Sequence, residues 1–423
     1  MLRIAFVTWF PRDSASPHGG VEAVSVSLVR ALAELDHTEV HVVTTSRDCT
    51  ASATVEWSGA TIHWLPWAGG GCLRHATGPG RRQVQEHLVR LCPDVVHAHD
   101  TYGLMVKGLP IPRVFTIHGF IHADTLVAGG RLARLRSRIW RRVETAGWAD
   151  QPHIISISPY VRERLAGIAT GVIHDIDNPI AEECFQVPRQ EQPGVIFSAA
   201  LICRRKNTLG LLHAFARLVH DGADARLRLA GHASEPDYQR RIHEFIQSHQ
   251  LDQRVDVLGS ISAERAREEL SHASVFALVS FEEGSPMGVA EAMAVGVPVV
   301  TSNRCGMPYM VRDGETGYLV DPNDPDDIAL RLGQLLADDS LRTRLGEKAR
   351  QIALDRFHPD VVARRTREVY LRAIADHRRR GRNGRTCGAT RGSNWKEAAV
   401  QGTLGTPRPW AGTRDGTRSR AVH

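Results

Sequence analysis

The chain has 423 residues, of which 42% are hydrophobic and 24% charged, and its net charge is +6. The length exceeds one compact core and suits two α/β domains, and the composition is that of a globular protein rather than a fibrous one. No segment approaches the ~20 apolar residues that span a bilayer, so we expect a soluble protein or one that is peripheral to a membrane.

The first half of the chain alternates β-prone and helical segments. Ile4–Thr8 is a short apolar run typical of a buried strand, and Val21–Ala33 has helical spacing after a loop rich in Pro, Ser and Gly. Ser158 and Pro159 indicate a helix start, with Ser as the N-cap and Pro at the first helical position. The further predicted strands are Val40–Thr44, Ile62–Trp64, Asp94–His97, Val114–His118, Ile154–Ile157 and Val172–Asp175. This alternation favours a parallel sheet covered on both faces.

A hinge is predicted between Asn178 and Gly194, a stretch with three prolines and no periodicity. The alternation then restarts and runs to a terminal helix, Pro359–Ala375. The elements predicted between them are the strands Val195–Ala199, Arg226–Ala230, Val255–Leu258, Val275–Val279 and Val297–Thr301, and the helices Thr208–Val219, Tyr238–His249, Ala263–His272 and one around Ile328–Leu336. Two doubly wound domains leave a cleft where the carboxyl ends of their strands face each other, and a ligand is expected there.

The last segment, residues 377–423, holds eleven Lys and Arg against two Asp and Glu, a balance of +9 that leaves −3 for the rest of the chain. It is rich in Gly, Arg, Thr and Ser, so we expect a basic disordered tail. The tail could contact anionic lipid, whereas nucleic-acid binding rests on composition alone and no specific nucleic acid is expected.

The seven cysteines are scattered and form no CxxC pair, so the sequence indicates neither a zinc site nor a disulfide framework. This pattern fits a reducing cytosol. The apolar run within residues 1–10 is shorter than the apolar core of a signal peptide and lacks a cleavage site. We therefore expect a cytoplasmic protein, either free or at the inner face of the cytoplasmic membrane.

The segment from Ser280 to Thr301 carries the chemistry. A buried strand ends at Ser280, an acidic loop follows, and a short helix begins near Gly288. Amides at a helix N-terminus form an anion site suited to a diphosphate. Glu291 lies in the first turns of that helix, where its carboxylate suits a ribose diol, and Glu283 is placed for the hydroxyls of a sugar. Spacing alone supports equally well a solvated loop acid and a helix-start acid.

Glu283 and Glu291, with the intervening GSPMGVA and the following AMAVGVPVV, resemble the signature of family 4 retaining glycosyltransferases of the GT-B fold. Similar motifs cover about residues 3–375 in family order. They include HGGVE at 18–22, DVVHAHD at 94–100, TIHG at 116–119, SISPYVRERL at 156–165, LRLAG at 227–231, RVDVLG at 254–259 and GETGYLVDP at 314–322. The resemblance implies two facing Rossmann-like domains: residues 1–185 on the acceptor side, residues 186–358 for the nucleotide sugar, and residues 359–376 packing back on the first domain.

The resemblance also implies a role for each matching residue. Glu291 would hold the ribose and Glu283 the donor sugar, while His118 would lie across the cleft near the reacting carbon. The remaining donor contacts would come from Gly19 and Gly20 at the diphosphate, Leu258 and Gly259 at the base, and Met287, Gly288 and Val289 at the sugar and phosphate. A UDP- or GDP-sugar would serve as co-substrate with a glycan or lipid-linked acceptor, without cofactor or metal.

The basic loop at residues 198–207 departs from the family pattern. Lys206 matches a family Lys that meets the diphosphate, but Ala200 and Leu201 occupy the positions of the family Arg. Either Arg204 or Arg205 is available instead, because a cation anywhere in this short loop reaches a phosphate. Lys206, Glu283 and His118 are the predicted catalytic residues, with the leaving phosphate rather than a protein nucleophile assisting the acceptor.

Three alternatives stay open. His97, His99 and Asp100 look like a metal cluster, although the resemblance places them beside the cleft without metal. The same fold also serves a nucleotide-sugar epimerase or a sugar phosphorylase. A non-catalytic nucleotide-sugar-binding subunit is the third alternative, suggested by the missing Arg.

An amphipathic helix is predicted over Arg131–Val143, where Leu132, Leu135, Ile139 and Val143 form one stripe among arginines. A basic helix of this kind with a Trp suits contact with an anionic membrane. An apolar stripe is equally typical of a surface helix that packs on its own sheet.

Overall fold

The computed structural model describes residues 1–383 except residues 16, 18, 129 and 130. Within these residues the chain forms two mainly parallel sheets, one in each half. Separate buried clusters lie on the two faces of each sheet. The predicted α/β class with two Rossmann-like, doubly wound domains is confirmed.

The first domain is built on a sheet whose order is β3-β4-β2-β1-β5-β6-β7-β8. Its strands are β1 (Leu2–Val7), β2 (Thr38–Ser46), β3 (Ala53–Trp57), β4 (Ala60–Pro66), β5 (Val95–His99), β6 (Arg113–Ile117), β7 (His153–Ser156) and β8 (Val172–Asp175). The helices are α1 (Gly20–Ala33), α2 (Cys72–Thr77), α3 (Pro79–Leu91), α4 (Tyr102–Met105), α5 (Ile121–Ala128), α6 (Ala133–Ala149), α7 (Pro159–Leu165) and α8 (Glu183–Gln186). As predicted, Ser158 caps α7, its side chain accepting a hydrogen bond from the Val161 amide.

The second domain repeats the plan with a parallel sheet of order β11-β10-β9-β12-β13-β14. Its strands are β9 (Val195–Ala199), β10 (Arg226–Ala230), β11 (Val255–Gly259), β12 (Val275–Leu278), β13 (Val299–Ser302) and β14 (Gly317–Val320). The helices are α9 (Thr208–His220), α10 (Pro236–Ser248), α11 (Ala263–His272), α12 (Met287–Val295), α13 (Pro325–Ala337) and α14 (Asp339–Phe357). Short 3₁₀ turns lie at Arg204–Lys206 and Met307–Tyr309.

The strand order reverses once in each sheet, and these reversals fix where a ligand binds. In the first sheet the reversal lies between β1 and β5, and in the second between β9 and β12. Helices that start from two such neighbouring strands run to opposite faces, which leaves a crevice at the carboxyl ends of the strands. The loops that follow β1, β5, β9 and β12 therefore border the expected site.

The last helix, α15 (Pro359–Asn383), follows the second domain in sequence but packs on the first. Val362, Val369 and Tyr370 of this helix lie in the buried cluster that also contains Ile4 and Phe6 of β1. The chain thus crosses between domains twice. The basic tail lies outside the described residues from position 384 onward.

Strand β3 and helix α14 are among the elements that the sequence patterns missed, each for a physical reason. Strand β3 pairs antiparallel with β4 at the sheet edge, and four of its five side chains are exposed, so no apolar run marks it. Helix α14 buries Arg342 and Gly346 beside Leu345, which obscures its apolar stripe. Among the described helices, none is both long enough and apolar enough to cross a bilayer.

Candidate active site

The loop between β12 and α12 forms the centre of the candidate site. It leaves the sheet after Leu278, and α12 begins at Met287, one residue before the predicted start. The helix ends at Gly296, whose positive φ of 82° closes it with a left-handed residue. The amides of Met287 and Gly288 at the start of α12 therefore lie at the strand-order reversal of the second sheet, whereas the Val289 amide donates to the Pro286 carbonyl oxygen over 3.1 Å.

Gly288 is needed where this helix meets the sheet. A Cβ at this position would lie 3.1 Å from the Phe276 ring and 3.2 Å from the Ala199 carbonyl oxygen. Both neighbours are fixed, one as a core ring and one as the backbone at the end of β9. A glycine thus lets the first turn of α12 sit directly on β9 and β12.

The basic turn after β9 is tied to the same loop. The Phe281 amide donates a hydrogen bond to the Arg205 carbonyl oxygen over 2.9 Å. Asn207, in a left-handed conformation, anchors the end of the turn by donating from its side chain to the Pro322 carbonyl oxygen over 2.7 Å. These bonds hold the cations of residues 204–206 beside the acidic loop.

Glu283 lies between two of these cations. Its Oε1 atom contacts Lys206 Nζ and is 3.3 Å from Arg205 Nη1. The Arg205 guanidinium also donates to the Glu282 carbonyl oxygen over 2.7 Å. The Glu283 side chain is only 9% exposed, and that of Lys206 13%, so this is a largely desolvated ion pair at the cleft.

Arg204 belongs to the same basic turn, but the structure does not bring it to this cluster. Its Nε atom lies 3.1 Å from Oε2 of Glu235, and its amide donates to the same carboxylate. The Arg204 side chain is 58% exposed, against 24% for Arg205. Of the two arginines, the structure therefore brings Arg205, and not Arg204, to Glu283.

Glu291 lies one turn into α12. Burial raises the pKa of its carboxyl group, and the nearby Arg267 of α11 acts in the opposite direction. Its charge also contributes to the raised pKa of the Cys184 thiol on α8, which places the carboxylate near that helix. Leu258 and Gly259, at the end of β11, are partly buried, and Gly259 has a positive φ of 67°.

The parts of the first domain that lie closest to this site are backbone groups and glycines rather than charged side chains. A Cβ on Gly20, the first residue of α1, would lie 3.6 Å from Met287 Cγ at the start of α12. A Cβ on Gly284 would lie 3.6 Å from the His118 carbonyl oxygen. Gly19, just before α1, has open space around it. The two strand-order reversals thus face each other across a narrow gap.

His118 follows β6 and is held from two sides. Its amide donates to Asp100 Oδ1 over 2.8 Å, and its ring Nε2 is 2.9 Å from Nδ1 of His99. Burial lowers the pKa of His118 to about 4, while an interaction with the Asn178 side chain opposes that shift. The imidazole is therefore neutral at physiological pH.

The apparent metal cluster at the end of β5 has another explanation. Both ring nitrogens of His97 are engaged by protein groups, Nδ1 with the Tyr370 hydroxyl and Nε2 with the Thr116 hydroxyl, each over 2.7 Å. His97 therefore anchors the terminal helix to the first domain. Within the described part of the chain, no group of three or more His, Cys, Asp or Glu side chains is arranged to hold a metal ion.

A contact between the domains beside Glu283 was missed by sequence reasoning. The Tyr160 hydroxyl on α7 donates to Glu282 Oε1 over 2.9 Å, and Arg164 Nη2 lies 3.6 Å from the same oxygen. These residues belong to motifs that were recognised, but in the sequence nothing links positions 122 residues apart. Helix α7 thus contacts the loop that carries Glu283.

Comparison with known proteins divides the chain in the same way. Residues 18–183 match the model described as Glycosyltransferase Family 4, and residues 180–352 match the one described as Glycosyl transferases group 1. The MMP alpha-(1->4)-mannosyltransferase of Mycolicibacterium hassiacum is 29% identical over 67% of this chain and 71% of its own length. The N-acetyl-alpha-D-glucosaminyl L-malate synthase of Bacillus anthracis is 29% identical over 40% of this chain, a match that spans only 43% of that relative.

Solved structures show the same fold. A sucrose-phosphate synthase from Thermosynechococcus elongatus has a TM-score of 0.73 at 20% identity, over 89% of this chain and 100% of that one. Anabaena Alr3699/HepE in complex with UDP-glucose has a TM-score of 0.67 at 16% identity, over 87% and 99% of the two chains. Both similarities extend over both domains and establish their common architecture.

Proposed function

The chain belongs to the family 4, group 1 glycosyltransferases, and from this premise we propose that it transfers a hexose-type sugar from a UDP- or GDP-sugar to an acceptor hydroxyl with retention of configuration. The acceptor is a glycan or a lipid-linked glycan of cell-envelope or polysaccharide biosynthesis. The observation that carries the proposal is the convergence of Lys206 and Arg205 on Glu283 at the N-terminus of α12.

In the proposed complex the diphosphate lies over the first turn of α12. The amides of Met287 and Gly288 and the helix dipole favour an anion there, and the backbone of Val289 lies beside them. Lys206 and Arg205 add two cations, of which Arg205 stands in for the family Arg whose positions Ala200 and Leu201 occupy. The lack of side chains at Gly19 and Gly20 lets the first domain approach the diphosphate closely, and a Cβ on Gly20 would already lie 3.6 Å from Met287 Cγ at the start of α12.

The two glutamates divide the rest of the donor between them. Glu291 accepts hydrogen bonds from the ribose diol. These hydrogen bonds stabilise its ionised carboxylate, which burial otherwise disfavours. Leu258 and Gly259 border the base at the end of β11. Glu283 accepts hydrogen bonds from the hydroxyls of the donor sugar, and its pairing with Lys206 fixes its position beside the phosphate.

The chemical step needs stabilisation of the leaving diphosphate. When the glycosidic bond breaks, negative charge develops on the terminal phosphate, and Lys206, Arg205 and the α12 amides are placed to stabilise it. The acceptor hydroxyl attacks from the face that the phosphate leaves, and a phosphate oxygen takes the hydroxyl proton. The proposal uses neither a metal nor a cofactor, because these cations and amides supply the positive charge, and it assigns no protein nucleophile.

The proposal is tested by the thermal unfolding of the purified chain with UDP-, GDP- and ADP-sugars, each with and without EDTA. A ligand at ~100 times its Kd stabilises the native state by ~2.7 kcal/mol. We expect one class of sugar nucleotide to raise Tm, with no effect of EDTA. A rise that disappears with EDTA would contradict the metal-independent mechanism, and no rise with any sugar nucleotide would contradict the donor site.

Product analysis then separates the transferase from other activities on this fold. Incubation of the stabilising donor with candidate acceptors should give a glycoside whose anomeric configuration, read by NMR, matches that of the donor. Conversion of the donor without acceptor would indicate an epimerase, and sugar release that requires inorganic phosphate would indicate a phosphorylase. Binding without any turnover would favour the non-catalytic subunit.

We further propose that α6 contacts an anionic membrane, which would place the protein at the inner face of the cytoplasmic membrane. The predicted apolar stripe does not face the sheet: Leu135 and Ile139 are 51% and 43% exposed, whereas the residues that α6 buries include Ser137, Glu144 and Trp148. Packing on the protein's own sheet therefore does not account for the stripe. The arginines that flank it are Arg134, Arg136, Arg138, Arg141 and Arg142.

The membrane contact is tested by co-sedimentation with vesicles of phosphatidylglycerol and phosphatidylcholine against vesicles of phosphatidylcholine alone. We expect binding to the anionic vesicles only, lost in a Leu135→Ser, Ile139→Ser variant and reduced by salt. A Leu330→Ser variant is the matched control, since Leu330 is 56% exposed on α13 of the other domain. Equal binding of wild type and the α6 variant would remove α6 from the contact.

A further inference from the structure

Arg47 is an oriented cation at the carboxyl edge of the first sheet. It follows β2 directly, and its guanidinium carbon lies 4.4 Å from the centre of the Trp67 ring. Stacking on an aromatic face holds a guanidinium group in one plane, so less freedom is lost when it binds a ligand. Arg47 is exposed, and its Nη2 makes one long hydrogen bond, 3.4 Å to the Gly70 carbonyl oxygen. Most of its N–H donors are therefore available to a ligand.

Other arginines that stack on aromatic rings in the described part of the chain also pair with a carboxylate. Arg12 and Arg47 are the exceptions, because no carboxylate of the described residues lies within ion-pair distance of either guanidinium group. This includes Asp13 and Asp48, their neighbours in sequence. The arginines that both stack and pair are Arg30, Arg164, Arg204, Arg331 and Arg356.

Arg12 lies in the loop after β1, the strand next to β2 in the sheet. Its guanidinium carbon is 4.0 Å from the centre of the Trp64 ring, and its Nη2 contacts Sγ of Cys49. Cys49 belongs to the loop that also carries Arg47, so the two loops touch. Two exposed arginines without acid partners therefore make this edge of the first domain electropositive.

A row of aromatic rings joins Arg47 to the loops that border the candidate site. The Trp67 ring lies 6.1 Å from that of Trp9, in the loop after β1, and Trp9 lies 5.2 Å from Tyr102 at the start of α4, after β5. The Tyr102 hydroxyl is fixed by the Thr45 amide, over 3.0 Å, and by the Thr45 hydroxyl, over 2.9 Å. Because the loops after β1 and β5 border the site, Arg47 lies on the first-domain side of the cleft, at the outer end of this row.

We propose that Arg47, supported by the charge of Arg12, binds an anionic group of the acceptor, a phosphate or a carboxylate that the glycan carries away from its reacting hydroxyl. The inference rests on the proposed function, because it assigns the chemistry of the acceptor in that reaction. A planar guanidinium group binds two oxygens of either anion at once. The half-buried rings of Trp9 and Trp67 offer apolar surface to the sugar rings between the anion and the site.

Kinetics with matched acceptors tests the assignment once the donor sugar is identified. A neutral acceptor oligosaccharide is compared with the same oligosaccharide carrying a phosphate and with one carrying a uronic carboxylate. We expect at least one anionic acceptor to have a KM about tenfold below that of the neutral one, and the better of the two identifies the anion. Equal KM values for all three acceptors in the wild type would overturn the proposal.

Substitutions of Arg47 test whether this residue causes the preference. Arg47→Gln should raise the KM of the preferred anionic acceptor about tenfold and that of the neutral acceptor much less, whereas Arg47→Lys, which keeps the charge, should retain part of the preference. Arg331→Gln is the matched control, since that arginine stacks on Tyr318 but pairs with Asp327. An equal rise for neutral and anionic acceptors in Arg47→Gln would overturn the assignment.

Anionic vesicles test the other source of phosphate, the headgroups of a lipid surface. Arg47→Gln protein should bind vesicles of phosphatidylglycerol and phosphatidylcholine as the wild type does. Loss of this binding would assign Arg47 to the membrane and overturn its role toward the acceptor.

Tryptophan fluorescence gives a readout that does not depend on activity, because Arg47 lies over the Trp67 ring. Lys206→Ala protein, in which the donor site competes less for phosphate, is titrated with glucose 6-phosphate, glucuronate and glucose. We expect a saturable change in emission with an anionic sugar but not with glucose, and no change in a Lys206→Ala, Arg47→Gln variant. A response that survives Arg47→Gln would overturn the anion site. If this response is found but no sugar nucleotide is bound or turned over, the proposed function fails while the anion site stands.

Discussion

The two domains share one plan but present different chemistry to the cleft. At its strand-order reversal, the second domain places Lys206, Arg205 and Glu283 together. At the equivalent place, the first domain offers Gly19 and Gly20 at the start of α1 and a neutral, partly buried His118. The second domain therefore places charged side chains at the candidate site, whereas the first places closely approaching backbone and an uncharged imidazole there.

The largest expected effect comes from removing charge on the second domain. Lys206→Ala should lower kcat/KM at least about 100-fold, because it removes a cation from the leaving phosphate and leaves Glu283 without its closest partner. Steady-state kinetics with the identified donor measures the loss. Arg204→Ala is the matched control and should stay near wild type, since this neighbour is exposed and pairs with Glu235. A comparable loss in both variants would show that the turn acts as a diffuse positive patch.

Substitutions of Glu283 and Glu291 should have different effects, although both residues lie in the second domain. Glu291→Ala should weaken binding of the nucleotide sugar about tenfold or more, because the ribose diol loses its acceptor. Glu283→Gln should leave nucleotide affinity nearly unchanged while it lowers turnover. Calorimetric titration with the free nucleoside diphosphate and with the nucleotide sugar separates the two effects. Normal nucleotide-sugar affinity in Glu291→Ala would contradict the ribose contact, and normal turnover in Glu283→Gln would remove that residue from the site.

The contrast between the domains also explains which parts of the site the sequence predicted. The spacing of Glu283 and Glu291 around a helix start is a local pattern. Such a pattern can be recognised in the sequence because it involves only residues that are close together in the chain. The same holds for Lys206, which lies on a short turn between a strand and a helix. These positions depend on the chain nearby, so their placement at the end of β12 and β9 followed from the pattern of elements.

Contacts between distant residues could not be predicted in this way. Whether Arg204 or Arg205 lies near Glu283 depends on Glu235, which is 31 residues after Arg204 in the chain and pairs with it. The apolar stripe of α6 was recognised, but whether it faced the sheet or the solvent depended on the packing of Trp148 and Glu144. In both cases the side chains are those expected, and only the tertiary packing decides what they meet.

The neutral histidines of the first domain predict that acid destabilises this domain before the second. Burial lowers the pKa of His63, His118 and His174 to about 4, from an ordinary value of 6.5. As the pH falls from about 6.5 towards 4, the unfolded chain binds protons that the folded domain does not, so the stability present above pH 6.5 is lost. In the second domain, among described histidines, only the exposed His213 has a lowered pKa.

Hydrogen exchange at pH 7.5 and pH 5, corrected for the intrinsic pH dependence, measures this difference. Amides of β5, β6 and β7 should lose about 1 kcal/mol or more of protection at pH 5, while those of β9, β10 and β12 should change less. A His63→Asn variant should reduce the loss in the first domain. An equal loss in both sheets would show that the histidines do not set the acid response.

The smallest expected effect concerns the contact that joins the two faces. Tyr160→Phe removes the 2.9 Å hydrogen bond to Glu282, which helps to hold α7 of the first domain against the loop that carries Glu283. A single hydrogen bond contributes about 1 kcal/mol, so kcat/KM should fall about fivefold. Tyr318→Phe, in β14, is the matched control and should leave kcat/KM unchanged.

Arg164 stays near Glu282 when Tyr160 is replaced, so a Tyr160→Phe, Arg164→Ala variant should show a larger loss of kcat/KM. Small-angle scattering of this variant without ligand should then show a larger radius of gyration. If both variants keep wild-type kinetics and dimensions, charge on the second domain orders its own loop, and the first domain contributes only its backbone and His118.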